Sequence, residues 1–408
     1  MFFRHQIFEQ SSSQVVDWAF HAILDKHSFI VNNVAYGLAR SGRLDYLKVL
    51  RDRGILATKH HSISVFCTAA LHSGSLATVQ WLFENKLHPP KSSTIWSNNT
   101  QIPARRGNLE VLKYLYEHGC AVINEATFSA AARGGHMHII QWLLDMGCTM
   151  SPSACAAAAE AGNLELLKWL RKNGCKWDED SCASAACGGH YQILKWLREN
   201  GCEWNSQTCF YIARRGDLGM LKWANSNGCI LNVDVASGAA TNGHLEILKY
   251  LQEQGIRYTN GGSSVTARGH LHVLKWLNEF GFQWTHFELI QAIRYGHLDV
   301  VKWLIEEIKF EVDSYVILDA VIYGQLEVLK YLVEIGGKLG EDYCTKAAER
   351  GYLKMLQWLV DNGCPWNKQK LEKIAVNRKR LREWLLKIIT LIINFYIKLN
   401  LHCENILF

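Results

Sequence analysis

The sequence predicts an all-α fold, a solenoid of about twelve stacked helical hairpins. Three observations carry that reading: a near-constant period, helical spacing of apolar residues within it, and glycines at two fixed places. GNLELLKWLRKNGCKW begins at Gly162 and GHYQILKWLRENGCEW at Gly189. Further copies begin at Gly42, Gly74, Gly107, Gly135, Gly216, Gly243, Gly269, Gly296, Gly324 and Gly351. The first two steps are 32 and 33 residues and every later one is 26 to 28. For 408 residues, length alone would suggest two or three globular domains, but the repeat replaces that prior with one array.

Within a unit, the first helix is short and ends in an alanine pair: Ala131 and Ala132, Ala158 and Ala159, Ala185 and Ala186, Ala239 and Ala240, Ala347 and Ala348. Side chains that small let two helices approach closely. The second helix follows the repeat glycine, and Leu164, Leu166, Leu167 and Leu170 fall on one face of it. Glu165 and Lys168 make an i,i+3 acid–base pair on the opposite face. A second glycine, twelve residues after the first (Gly119, Gly147, Gly174, Gly201, Gly228, Gly363), ends the helix as a left-handed cap. No strand-like alternation recurs. One such hairpin has too little apolar surface to offset its ordering entropy, whereas stacked copies share a core. Twelve of them predict a curved rod of roughly 100–120 Å from helices about 10 Å across.

The ends differ from the array. Residues 1–30 read as an N-terminal capping helix, with Val15, Val16, Trp18, Ile23 and Leu24 supplying its apolar side. Residues 31–370 are the repeat array, and 371–408 a degenerate C-terminal cap holding Trp384 and an apolar tail, LLKIITLIINFYIKLNL at 385–401. Lys387, Asn394 and Lys398 interrupt that tail, and a bilayer span needs about 20 apolar residues. It therefore reads as a helix closing the last repeat, with membrane contact as the alternative. Composition is that of an ordinary soluble protein, 49 % hydrophobic and 20 % charged, and a net charge of +6 names no partner. The first residues lack the apolar stretch and cleavage site of a secretory signal. Thirteen cysteines, an odd number with no C-x-x-C pair, point to a reducing, intracellular compartment.

The phrase AA-x-x-GHLE-[IV]-[LV]-K-[WY]-L-x-x-x-G resembles the ankyrin repeat, most closely in GHLEILKYL at 243–251 and GHLDVVKWL at 296–304. The resemblance covers about residues 30–370 and implies an ankyrin-like helical-hairpin solenoid. The T-P-L-H of the first ankyrin helix is absent, and the central units are about six residues shorter than the family's 33. In the family that stretch is a projecting finger, so the fingers are expected to be trimmed from Gly107 onward. Only the linkers around Thr58–Ser64 and Pro89–Ser93 are long enough to keep one. The GC-x-W variant is similar to ankyrin families expanded in protists and in the large DNA viruses that infect them.

Residues able to carry chemistry fall in register. Cys120, Cys148, Cys175, Cys202, Cys229 and Cys364 follow stop glycines, and Cys155, Cys182 and Cys209 form a second row in first helices. Same-position cysteines one helix diameter apart exceed disulfide reach, so they read as small buried hydrophobes. Cys187-Gly-Gly-His190 is the one short pairing with zinc-like spacing and lacks a second half. Trp142, Trp169, Trp196, Trp223, Trp276, Trp303 and Trp358 share one position, as do Trp177, Trp204, Trp284 and Trp366 another. They read as flanks of the inter-unit core rather than a stacking platform for nucleobases. His136, His190, His244, His270 and His297 match the family's GH, which implies a structural hydrogen bond to loop backbone. No phosphate-binding glycine loop, H-E-x-x-H or G-x-S-x-G occurs, so neither catalysis nor a cofactor is expected. A lysine row six residues after the repeat glycine reads as a solvated face partly neutralised by acids three residues earlier.

The two positions before the repeat glycine vary most. In ankyrin repeats they face the concave groove, which here implies a face carrying Arg40, Arg105, Arg106, Arg133, Arg214, Arg215, Arg268, Arg294, Tyr295, Tyr323 and Arg350. Only Glu160 and Glu349 are acidic there. Cations at helix C-termini also complement the helix dipole, which is the alternative account of the row. Read as a groove, it suits an acidic or phosphorylated protein segment. The expected function is a monomeric, non-enzymatic protein-interaction scaffold with no small-molecule substrate. A substrate-recruiting adaptor of a ubiquitin ligase and a tail-tethered membrane scaffold are the alternatives, the first lacking a visible recruiting module. Nucleic-acid binding through the arginines is a further rival, marked by steep salt dependence.

Overall fold

A computed structural model of the chain describes residues 35–53, 60–88, 99–258, 262–376 and 382–383. Among the described residues the secondary structure is helical, with no strand, as the repeat pattern predicts. Contacts divide the chain into two units, 1–231 and 232–408, a division the uniform period does not announce. In the first, helical hairpins follow one another through the repeat glycines Gly42 to Gly216; in the second, through Gly243 to Gly351.

A representative hairpin runs Pro152–Glu160, a turn at Gly162, Leu164–Lys172 and a stop at Gly174. Proline at the first helical position starts the first helix, where its missing N–H costs nothing. Elsewhere Asn124, Asn232 and Asp313 start first helices by accepting the N–H of Thr127, Val235 and Val316 at 2.9–3.1 Å. Asn163 starts the second helix in the same way, accepting from Leu166 at 2.9 Å. Every repeat glycine named above has φ between +69° and +86°, the left-handed region that side chains disfavour.

First helices pack on first helices of neighbouring hairpins within each unit. The alanine pairs make that approach: all ten are fully buried. Leu166, Leu167 and Leu170 bury the inner face of the second helix, each burial contributing about 2 kcal/mol. The outer lysines pair as expected, Lys168 with Glu165 at 3.2 Å and Lys249 with Glu246 at 2.8 Å. The loop tryptophans sit edge-on to the helix tryptophan of the next hairpin: Trp177 on Trp196, Trp204 on Trp223, Trp284 on Trp303, centroids 5.3–5.8 Å apart. Arg171 covers Trp177 at 3.9 Å and Arg198 covers Trp204 at 4.3 Å, so these rings are spent on the stack.

The histidine after the repeat glycine ties hairpins together. His136, His270 and His297 put Nε2 2.9–3.2 Å from the carbonyls of Arg105, Thr241 and Ala267, at the end of the preceding hairpin's first helix. Gln325 takes the same position and donates to the Arg294 carbonyl at 2.9 Å. The partner is thus a helix terminus one hairpin back rather than the hairpin's own loop.

The linker at 58–64 departs from the finger expectation, since a helix already begins at His60. The remaining finger candidates, the capping helix at 1–30, Trp384 and the apolar tail lie outside the described residues. The helix Lys368–Ala375 crosses the expected boundary at 371 and buries Leu371 and Ala375 against the array. Among the described residues, no helix is long and apolar enough to cross a membrane.

Candidate protein-binding face

Four of the arginines singled out in the sequence meet in the first unit. Arg40, Arg105, Arg106 and Arg133 line one cavity of about 1320 Å³, together with His72. Each arginine ends a first helix, and the 28- to 33-residue steps bring those ends side by side. The floor is made of small side chains from the same helix faces, among them Ala126, Ser129, Ala130 and Ser153. Glu125 is the lone carboxylate of the lining. Small residues below and guanidinium groups at the rim leave an open, cationic trough.

Their electrostatic situations differ. Arg105 and Arg106 are exposed, and no carboxylate among the described residues pairs with either. The Arg105 backbone is held by the His136 bond, so an exposed side chain stands on an anchored turn. Arg133 is half-buried and ion-paired to Glu160 of the next hairpin at 2.7 Å. Arg40 packs its guanidinium 3.4 Å from the Tyr36 hydroxyl.

The other predicted positions go elsewhere. Arg215 donates to the Cys187 carbonyl at 3.1 Å, occupying the inter-hairpin place that histidine fills in other hairpins, and does not line the cavity. Arg214 is exposed and does not line the cavity. Arg268, Arg294, Tyr295, Tyr323 and Arg350 belong to the second unit. There Arg294 lies over the Tyr323 ring at 4.6 Å and its Nε is buried without a partner, which makes it a packing residue as much as a surface one. Its charge opposes the rise that burial imposes on the Asp319 carboxyl. Tyr295 is 56 % exposed, and Arg268 and Arg350 are exposed.

Sequence reading missed His72, Gln101, Ser129 and Ser153 of the lining. The available signal was positional: His72 stands two residues before Gly74, the position Arg40 and Arg105 hold before Gly42 and Gly107, and the others lie in first helices. A second, smaller cavity of about 600 Å³ in the second unit is walled by Trp276, Phe280 and Phe282 beside Arg257. Trp276 thus does more than flank the core. Cys148 is half-buried, unlike the other cysteines of the two rows, and so is Cys187 outside them.

A family model described as ankyrin repeats (3 copies) matches residues 128–208 and 289–372. No curated protein matches the chain. Among solved structures, the pentatricopeptide repeat protein PPR10 in complex with an 18-nt psaJ RNA element is similar at 13 % identity and a TM-score of 0.32, covering 95 % of this chain and 73 % of that one. PPR10 from maize gives 11 % identity, a TM-score of 0.29, and coverage of 95 % and 78 %. Likeness at that level carries no argument.

Proposed function

We propose that this chain, whose residues 128–208 and 289–372 match ankyrin repeats, is a non-enzymatic scaffold holding an acidic or phosphorylated segment of a partner protein in its arginine trough. The observation that supports this reading is the convergence of Arg40, Arg105, Arg106 and Arg133 on one cavity with a single carboxylate. Guanidinium groups bind carboxylate and phosphate through paired, charge-assisted hydrogen bonds, stronger than neutral ones. Arg105 and Arg106 are the recruiting pair, because Arg133 already spends its charge on Glu160. An intracellular setting, in a host cell if the chain is viral, suits a partner of that chemistry.

Arg105→Glu with Arg106→Glu tests it, read by titration with phosphorylated and glutamate-rich peptides and with a neutral peptide of equal length. The wild type binds the acidic peptides. The double reversal weakens binding at least tenfold, about 1.4 kcal/mol or more, with helical content unchanged. Equal binding by both proteins, or equal binding of the neutral peptide, refutes the reading. Tight binding to single-stranded RNA of any sequence with a steep salt slope would favour the nucleic-acid rival.

A further inference from the structure

Four hairpins carry one cysteine in the first helix and a second 20 residues later, directly after the stop glycine. They are Cys155 with Cys175, Cys182 with Cys202, Cys209 with Cys229, and Cys344 with Cys364. The two sequence rows, each unable to pair within itself, therefore meet across the hairpin. Cys209 and Cys229 are joined as a disulfide, their Cα atoms 6.5 Å apart. In the other three the thiols are free. Cys155 Sγ lies 3.4 Å from Cys175 Sγ, Cys182 Sγ lies 3.9 Å from the Cys202 carbonyl oxygen, and Cys344 and Cys364 hold the same 20-residue register. The contact belongs to the hairpin's closure: in another hairpin Cys67 reaches the Leu87 carbonyl across the same 20 residues at 3.4 Å.

We propose that Cys155–Cys175, Cys182–Cys202 and Cys344–Cys364 are oxidation sites, each closing in place to a disulfide that staples its hairpin by exchange with a low-molecular-weight disulfide. Three observations carry this. The Cys155 and Cys175 thiols already touch and the other two pairs share their register, so little motion separates dithiol from bond. The same register already holds one bridge, whose Cα separation lies inside the range disulfides span. All six are buried among helices that fix their approach. Neighbouring rows stay apart, so pairing is confined to one hairpin.

The chemistry balances as two exchanges. The loop cysteine is the better nucleophile: its thiolate accepts the S–H of the helix cysteine, and at Cys175 and Cys202 the Arg171 and Arg198 charges favour it further. That thiolate attacks one sulfur of glutathione disulfide, breaking its S–S bond and releasing one glutathione thiolate. The helix thiol then gives its proton to solvent and attacks the mixed disulfide, releasing the second glutathione. The protein loses two electrons and two protons, and the glutathione disulfide is reduced to two thiols. Burial makes the first attack wait on local opening of the stop loop.

The test reduces the full chain and exchanges it with glutathione disulfide until half-buried Cys148 is fully converted to its adduct. Remaining thiols are then alkylated and peptides mapped by mass spectrometry. The expected result is four linked peptide pairs, the Cys209–Cys229 bridge re-formed together with Cys155–Cys175, Cys182–Cys202 and Cys344–Cys364, each short of two hydrogens, with Tm several degrees above the reduced form. Cys155→Ser should leave Cys175 alkylated or carrying glutathione, with the other three pairs intact. Recovery of the six as separate alkylated or glutathionylated residues in the wild type overturns the proposal. Links between rows of different hairpins, such as Cys155 to Cys182, overturn it equally.

Discussion

His270 shows how one side chain sets the coupling between two hairpins. Its Nε2 lies 3.2 Å from the Thr241 carbonyl, a contact a neutral imidazole satisfies by donating one proton. Burial pushes its pKa below the ordinary histidine value, with the Thr241 bond opposing and the His272, Arg268 and His244 charges assisting. The neutral form is therefore favoured on folding. The unfolded chain, at about 6.5, binds the proton more readily. This contribution to stability is present above that value and is lost as pH falls through the lower folded one. His270→Gln should flatten the dependence between about pH 6.5 and the folded value, because Gln325 makes the equivalent bond to the Arg294 carbonyl without titrating. Thermal unfolding across that window checks it; an unchanged slope in the variant would show the histidine to be a bystander. Arg215 belongs to the same scale. Asp217 follows that repeat glycine and accepts the Met220 N–H at 2.8 Å; a carboxylate offers no donor for the carbonyl behind it, and Arg215 supplies one instead.

Among the turns, two glycines of each hairpin look alike in sequence and differ in structure. Gly162, between helices, has φ +81°, and a Cβ there would meet the His190 ring at 2.6 Å. Gly174, at the stop, has φ +87° with open space around it. Alanine at Gly174 should cost the left-handed strain alone, about 1 kcal/mol; at Gly162 it must also displace the next hairpin's histidine and cost at least twice as much, about 2 kcal/mol or more. Urea unfolding of the two variants decides, and equal losses would mean the contact is readily relaxed. The turns, the alanine pairs and the leucine face were legible because each is dictated by residues close in sequence. The cysteine contacts were not, because their partners lie 20 residues apart on antiparallel segments whose offset depends on turn geometry. The arginine row was legible as a row; which members share a cavity was not. Diversions such as Arg133 to Glu160 depend on the next hairpin's side chains.

At the scale of the whole chain, the division at 231/232 accompanies an otherwise unbroken period, so identical local rules do not guarantee one continuous body. Within each unit a hairpin touches its neighbours and little else, which makes stability a sum of near terms. Leu167→Ala, which opens a cavity in a fully buried position, should cost about 2–5 kcal/mol locally. Amide exchange should accelerate in the hairpins between residues 124 and 203 while Leu326–Glu334 in the other unit keeps its protection. Uniform acceleration along the chain would mark a single cooperative body instead. The edge-on tryptophans give the molecule an optical property of its own. Indole transition dipoles 5.3–5.8 Å apart couple, so Trp177–Trp196, Trp204–Trp223 and Trp284–Trp303 form built-in chromophore pairs, one rung for each junction they span. A ligand that pries open one of those junctions changes the near-ultraviolet dichroism of that rung alone, and single Trp→Phe replacements would say which one, with no dye attached.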